Sequence, residues 1–190
     1  MIEKQRRDRV KRVEELHIRR LGAVDVPFVL ALMEEVIARL PSQALFAMDD
    51  EAYLLAHVEE RGEIFGAYRD GALVAYSVLA YPGKCAGNLG PEFGVLEHEL
   101  DDVAVLDATI VHESARGLGL QRRFHELREQ RARERGCHYL YATVHPDNVA
   151  SVRNLEAEGL TLQFTRPMYG DKLRHCYAKQ LDPNMKKSAI

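Results

Sequence analysis

The sequence predicts an α/β fold in one domain, built on a mixed sheet. Three observations carry that expectation: β-rich runs alternate with helix-spaced apolar runs along all 190 residues, an Asp-Gly pair divides two adjacent strands, and no linker or internal repeat interrupts the pattern. In order, residues 17–20 form a short strand ending at Leu21-Gly22, and Asp25 caps a helix with Pro27 in its first turn. Val29, Leu32, Met33, Val36, Ile37 and Leu40 fall at steps of three and four, giving that helix one buried stripe before Pro41 ends it. A second helix covers 50–61 with Leu54, Leu55 and Val58 inward and Gly62 as its stop. Strands at 63–68 and 73–81 flank Asp70-Gly71, whose positive φ suits a tight hairpin.

Residues 82–102 hold four glycines and the acids Glu92, Glu97, Glu99, Asp101 and Asp102 without periodicity, so a long functional or mobile loop is expected there. A central strand follows at 103–111, then a glycine-containing turn at 116–120 into a helix that runs to Arg135 and stops at Gly136. A strand at 138–144, a helix capped by Asp147 or Asn148 and ending at Gly159, and a hairpin of 161–169 with 174–181 complete the chain. The order is β-α-α-β-β-β-α-β-α-β-β.

Composition excludes several classes. With 46% hydrophobic and 29% charged residues the chain is neither disordered nor collagen-like, and no stretch reaches the roughly 20 apolar residues of a membrane helix. Residues 1–15 are mixed in charge with no apolar core, so no secretory signal and a cytoplasmic location are expected. Cys85, Cys137 and Cys176 are odd in number and lack CxxC spacing, which argues against a disulfide framework or structural zinc. No HExxH or other metal pattern is present, so no metal is expected. The net charge of −3 hides a split: 12 Lys/Arg against 21 Asp/Glu up to Ala115, and 14 against 8 from Arg116 onward. Either solvated faces differ by chance, or the second half meets an anion and the first a cation.

The most informative segment is Val111-His112-Glu113-Ser114-Ala115-Arg116-Gly117-Leu118-Gly119-Leu120-Gln121. Two glycines between a strand and a helix start let backbone N–H groups converge at the positive end of the helix dipole, a cradle for a pyrophosphate. The plain alternative is a strand-to-helix turn that uses glycine for geometry alone. The third glycine of a dinucleotide fingerprint and the Lys-Ser/Thr of a P-loop are both missing. The helix 116–135 carries seven arginines against three glutamates, and Arg122 and Arg123 lie within one turn of the loop, able to pair with phosphates. Aromatic interleaving is absent and the chain is slightly acidic, so no nucleic-acid partner is expected.

The run "NVASVRNLEAEGL" follows the next strand. Together with "RGLGLQ" and the opening "IRRLGAVDVPFVLALM", it resembles the GNAT superfamily of acyl-CoA-dependent N-acyltransferases over most of the chain. The resemblance implies a mostly antiparallel central sheet with flanking helices, in one domain at 16–181 between charged tails at 1–15 and 182–190. It implies acetyl-CoA as co-substrate, held by Arg116, Gly117, Leu118, Gly119, Leu120 and Gln121 of the loop and by the backbone of Ile110 and Val111. Asn148 matches an asparagine that reaches the cofactor in the family; its other role is a plain helix cap. Ser151 and Asn154 follow on the same helix. Gln121 replaces the family's usual Gly or Ala, so the loop must turn without positive φ there.

The mechanism so implied is direct attack of a neutral amine on the thioester, which asks for orientation, a base for the ammonium and a proton for the sulfur. Asp107, an acid within an apolar strand, is the first candidate for the base; alternatively it points out of the sheet or pairs with an arginine. Glu99, Asp101 and Asp102 are weaker candidates. Leu155 stands where many relatives carry a tyrosine that protonates the sulfur, leaving Tyr141, Tyr169 and Tyr177 as substitutes.

The expected function is therefore acetyl transfer, of an acyl group other than aminoacyl, from acetyl-CoA to a primary amine of a small molecule or peptide. The alternative is a non-catalytic CoA-binding or sensing module of the same fold. The acidic loop suggests a cationic acceptor. No membrane partner is expected, and the oligomeric state is left open, a homodimer among the options.

Overall fold

The computed structural model describes residues 16–42, 45–85 and 87–181; the charged tails expected at 1–15 and 182–190 lie outside the described residues. The strands are β1 (His17–Arg20), β2 (Gly62–Arg69), β3 (Ala72–Ala80), β4 (Val103–Val111), β5 (Tyr139–Val144), β6 (Thr161–Met168) and β7 (Lys172–Gln180), in the sheet order β1-β2-β3-β4-β5-β7-β6. The helices are α1 (Val26–Ala38), α2 (Glu51–Glu59), α3 (Leu120–Glu134) and α4 (Val149–Ala157). β1 pairs with β2, β5 with β7 and β6 with β7 antiparallel, whereas β4 and β5 are parallel. The α/β class and the element order match the expectation from patterning. The described residues fall into two compact units.

The first unit holds 16–42, Met48–Val78 and Ala108–Phe124. Val29, Leu32, Met33, Val36 and Ile37 of α1 are all buried, as their spacing predicts. Asp50 caps α2, its Oδ1 accepting the Tyr53 amide at 2.7 Å. The β2–β3 hairpin turns at Asp70 and Gly71, with φ of 52° and 78°. Asp25 departs from its expected role. Its carboxylate does not cap α1; it turns back to accept from the Gly22 amide at 3.0 Å, from both Nη atoms of Arg19 at 2.6 and 3.0 Å and from the Tyr68 hydroxyl at 3.1 Å. The Arg19 hydrogen bonds are the main reason its pKa is held at about 2.

The second unit holds 45–47, Leu79–Asp107 and 125–181. Residues 82–85 and 87–102 of the long loop expected there have local structure of their own. They contain two 3-10 turns, Gly90–Phe93 and Glu97–Asp102. Buried Asn88 ties them together: its amide nitrogen donates to the carbonyls of Gly83 at 2.6 Å and Leu100 at 3.1 Å, and its Oδ1 accepts the Gly90 amide at 2.7 Å.

The β4–β5 register sets two faces in this unit. Ala104 and Leu106 pair with Leu140 and Ala142. They join a core with Tyr177 of β7 and Ala132 of α3, against which Val152 and Leu155 of α4 pack. Val103 and Val105 pair with Tyr139 and Tyr141 and point the other way, onto Val95 and Leu100 of the ordered loop.

Candidate functional site

In the first unit, Ile110 and Val111 end β4, with Ile110 buried. The 3-10 turn Glu113–Ala115 leads from them to the glycine loop. Gly117 and Gly119 have φ of 75° and 76°, the left-handed conformation that L side chains avoid, and nothing lies within 4 Å of the position a Cβ would take at either. The loop is therefore built by backbone conformation, with free space beside it. Leu120 is buried and begins α3, whose first amides have no intrahelical acceptor and carry the positive end of the helix dipole. Gln121 is the second residue of α3, so the absence of glycine there needs no positive φ. Arg116 is exposed and Leu118 half-buried. One turn into the helix, Arg123 Nη1 is buried without a hydrogen-bond partner among the described residues. A guanidinium nitrogen in that state suits an anion.

A network that the sequence pattern did not indicate braces the approach to this loop. Arg39, just past α1, donates to Glu35 at 2.8 Å and to Glu113 at 2.7 Å. The His112 Nδ1 accepts the Ser114 amide at 3.2 Å and lies 2.8 Å from the Ser114 hydroxyl, while Arg69 donates to the Ser114 carbonyl at 3.1 Å. Charges from α1 and β2 thus meet on the turn that precedes the glycines.

In the second unit lie Asp107, Asn148, Ser151 and Asn154. Asp107 alternates with Val103 and Val105 and so shares their face. Buried Arg128 of α3 reaches its main-chain oxygen at 3.4 Å. Burial pulls the Arg128 guanidinium down to about 9, against the Asp107 charge that raises it. Arg128 therefore bonds the Asp107 main chain and feels the charge of its carboxylate. Asn148 caps α4, its Oδ1 accepting the Ser151 amide at 3.3 Å. Ser151 and Asn154 are half-buried on the same helix. The loop residues lie with Ile110 and Val111 in one unit; Asp107 and the α4 residues lie in the other, where Asp107 shares the face of Val103 and Val105 and α4 packs on the opposite one.

Three acids of the loop have partners on other elements. Glu92 pairs with Arg166 at 2.5 Å, Asp102 lies 3.6 Å from His138 Nδ1, and Glu99 accepts from the Tyr139 hydroxyl. Leu155 packs against the core. Among the described residues no group of three or more His, Cys, Asp or Glu could hold a metal ion, and no helix is long and apolar enough to cross a membrane.

A model of the acetyltransferase (GNAT) family matches residues 29–159. No curated protein matches the chain. Among solved structures, yncA of Salmonella typhimurium, determined with its cofactor acetyl-CoA, superposes at TM-score 0.67 and 19% identity over 93% of this chain and 99% of its own. The ribosomal-protein-S18-alanine N-acetyltransferase of Escherichia coli gives 0.64 at 18% identity over 92% and 99%. The ribosomal-protein-alanine N-acetyltransferase of Brucella melitensis gives 0.66 at 22% over 87% and 99%.

Proposed function

This chain belongs to the acetyltransferase (GNAT) family, and we propose from that premise that it moves an acetyl group from acetyl-CoA to a primary amine of a small molecule or peptide. The observation that carries the reading is the loop at the start of α3, where two left-handed glycines, the helix amides and the partnerless Arg123 Nη1 fit a pyrophosphate. The residues that would hold acetyl-CoA are Arg116, Gly117, Leu118, Gly119, Leu120 and Gln121, with the backbone of Ile110 and Val111, and Asn148, Ser151 and Asn154 of α4. When bound, the thioester supplies an activated acetyl carbon. The amides orient the donor and polarise its carbonyl, and the Asp107 carboxylate takes a proton from the acceptor's ammonium. The free cysteines, with Cys85 exposed, suit the reducing setting of a cytoplasmic enzyme.

The acceptor panel should include peptide N-termini, because two of the neighbouring structures are named as ribosomal-protein alanine acetyltransferases. The test is release of free thiol from acetyl-CoA in the presence of amines, amino acids, polyamines and peptides. Binding of acetyl-CoA without thiol release from any of them would favour the non-catalytic CoA-binding reading. Leu155, turned to core packing where many relatives have a tyrosine, is the observation that keeps this second reading in view.

A further inference from the structure

Two arginines face each other across the last hairpin. Arg166 of β6 pairs directly with Arg174 of β7, and side chains at paired positions lie on one face of the sheet. Like charges placed in this way repel, and Arg174 is only 3% exposed, so its charge also carries the cost of leaving water. Glu92 answers part of this, since both Nη atoms of Arg166 meet its carboxylate at 2.5 and 2.6 Å. The Arg166 Nε is still buried with no hydrogen-bond partner among the described residues. The neighbouring rung of the same face holds Phe164 and Cys176, so the sheet itself does not require charge here.

The same face carries the proposed base. Leu106 pairs with Ala142 on the core face, so Asp107 and Thr143, the next residues of β4 and β5, fall on the other. Thr143 pairs with Cys176, and Arg174 follows two residues along β7 on that face. Tyr169 lies among these groups. Its hydroxyl is 3.3 Å from the Thr143 hydroxyl, and its ring centre is 5.9 Å from the Arg174 guanidinium carbon. Burial raises the Tyr169 pKa, and the charges of Asp107 and Arg174 are both among those acting on it. All of these residues belong to the second unit. A carboxylate and two guanidiniums thus share one face of one unit, around one phenol.

We propose that Arg166 and Arg174 hold a carboxylate of the acceptor, which makes the acceptor a free amino acid. The assignment rests on the acetyl transfer proposed above. A guanidinium fork matches a carboxylate in shape and charge, and an anion bound there relieves the repulsion between the two facing arginines. A free amino acid presents an ammonium and a carboxylate on one small group. This face presents the complementary charges, Asp107 for the first and the arginines for the second. A polyamine brings no anion and adds positive charge beside Arg166 and Arg174, and a peptide N-terminus has an amide where the amino acid has its carboxylate. The Arg166 side chain is 42% exposed on the edge strand β6, so the arginine pair is open to solvent on that side.

The experiment measures thiol release from acetyl-CoA with matched acceptors: amino acids, their carboxamides, and the amines left when the carboxylate is removed. In wild type the best amino acid should exceed its carboxamide about tenfold or more in kcat/KM. Carboxamides have the less basic amine, so intrinsic reactivity near neutral pH runs against that order. Arg174→Lys and Arg166→Gln should each shrink the ratio by raising the KM of the amino acid, with the calorimetric affinity for acetyl-CoA and the melting temperature near wild type. Where the buried Arg174→Lys fails to fold, Arg166→Gln and the wild-type comparison still decide. Carboxamides, simple amines or polyamines that match the amino acids in wild type, or an unchanged ratio in both variants, overturn the assignment and leave acetyl transfer standing. Absence of thiol release with every amine, while acetyl-CoA still binds, overturns acetyl transfer and the assignment with it.

Discussion

Arg128 Nη1 lies 3.4 Å from the main-chain oxygen of Asp107, and the Asp107 charge opposes the burial that pulls this guanidinium down to about 9. The arginine comes from α3 and the acid from β4, so helix and strand are joined at the main chain of the residue whose carboxylate is the proposed base. Removing the Asp107 charge takes away an interaction that favours the charged, buried Arg128, while the main-chain acceptor stays. Breaking a fully buried pair costs about 3 to 5 kcal/mol. Asp107 is only half-buried, so Asp107→Asn should cost about 1 to 3 kcal/mol in urea unfolding at pH 7. A lowered Arg128 pKa also means that the unfolded chain binds more protons from about pH 9 upward, so this arginine makes stability rise with pH there. An unchanged urea midpoint in Asp107→Asn would mean that Arg128 finds its compensation elsewhere.

Gly119 tests the phosphate cradle. A β-branched side chain there has room, since nothing lies within 4 Å of its Cβ, but it cannot hold φ of 76° without strain. Gly119→Val should therefore rearrange the loop amides while sparing the core. The expected result is at least a tenfold weaker acetyl-CoA affinity by calorimetry, about 1.4 kcal/mol, with a melting temperature within a few degrees of wild type. Equal affinity would show that the loop glycines serve turn geometry alone.

Elements were legible where local rules decide them. The α1 stripe, the Asp70-Gly71 hairpin and the Gly117/Gly119 loop each depend on neighbours within one turn, and each lies where its pattern puts it. Asp25 was misread because Arg19 and Tyr68 supply hydrogen bonds that outcompete helix capping, and Tyr68 is 43 residues away. The order in residues 82–102 comes from Asn88 hydrogen bonds, which leave no periodic trace. Arg39 and Glu113, 74 residues apart, meet only through the tertiary fold. Asp107 stands out in the chain as an acid within an apolar strand, but the arginine that meets it cannot be picked from the seven of its helix segment.

Glu129 should govern acid stability. This buried carboxylate accepts from Arg133 at 2.8 and 3.1 Å and from Lys179 at 2.6 Å, with His125 Nε2 at 3.6 Å. Burial works against its charge, but the nearby His125 and the bonds from Lys179 and Arg133 win and hold its pKa far below the ordinary 4.5. The folded value is depressed, so the stabilisation is complete above pH of about 4.5 and is lost as the pH falls toward the folded value. Glu129→Gln should cost about 2 kcal/mol at pH 7 and flatten the fall in stability between pH of about 4.5 and 2.5. An acid limb identical to wild type would assign it to other carboxylates.

Asn148 separates capping from cofactor contact, the two roles its position at the start of α4 allows. The cap is a hydrogen bond from the Ser151 amide to Oδ1, and an aspartate can accept the same bond. Asn148→Ala removes the acceptor and should cost about 1 kcal/mol of stability. Asn148→Asp keeps it, and its negative charge at a helix N-terminus is favourable to the dipole. If capping is the only role, Asn148→Asp retains both stability and acetyl-CoA affinity. If the side-chain amide also donates to the cofactor, Asn148→Asp keeps its melting temperature while affinity falls about tenfold or more, because a carboxylate cannot donate and repels an anionic ligand. The second outcome is expected under the proposed function. Matched losses of stability and affinity in both variants would assign the binding defect to a frayed helix instead.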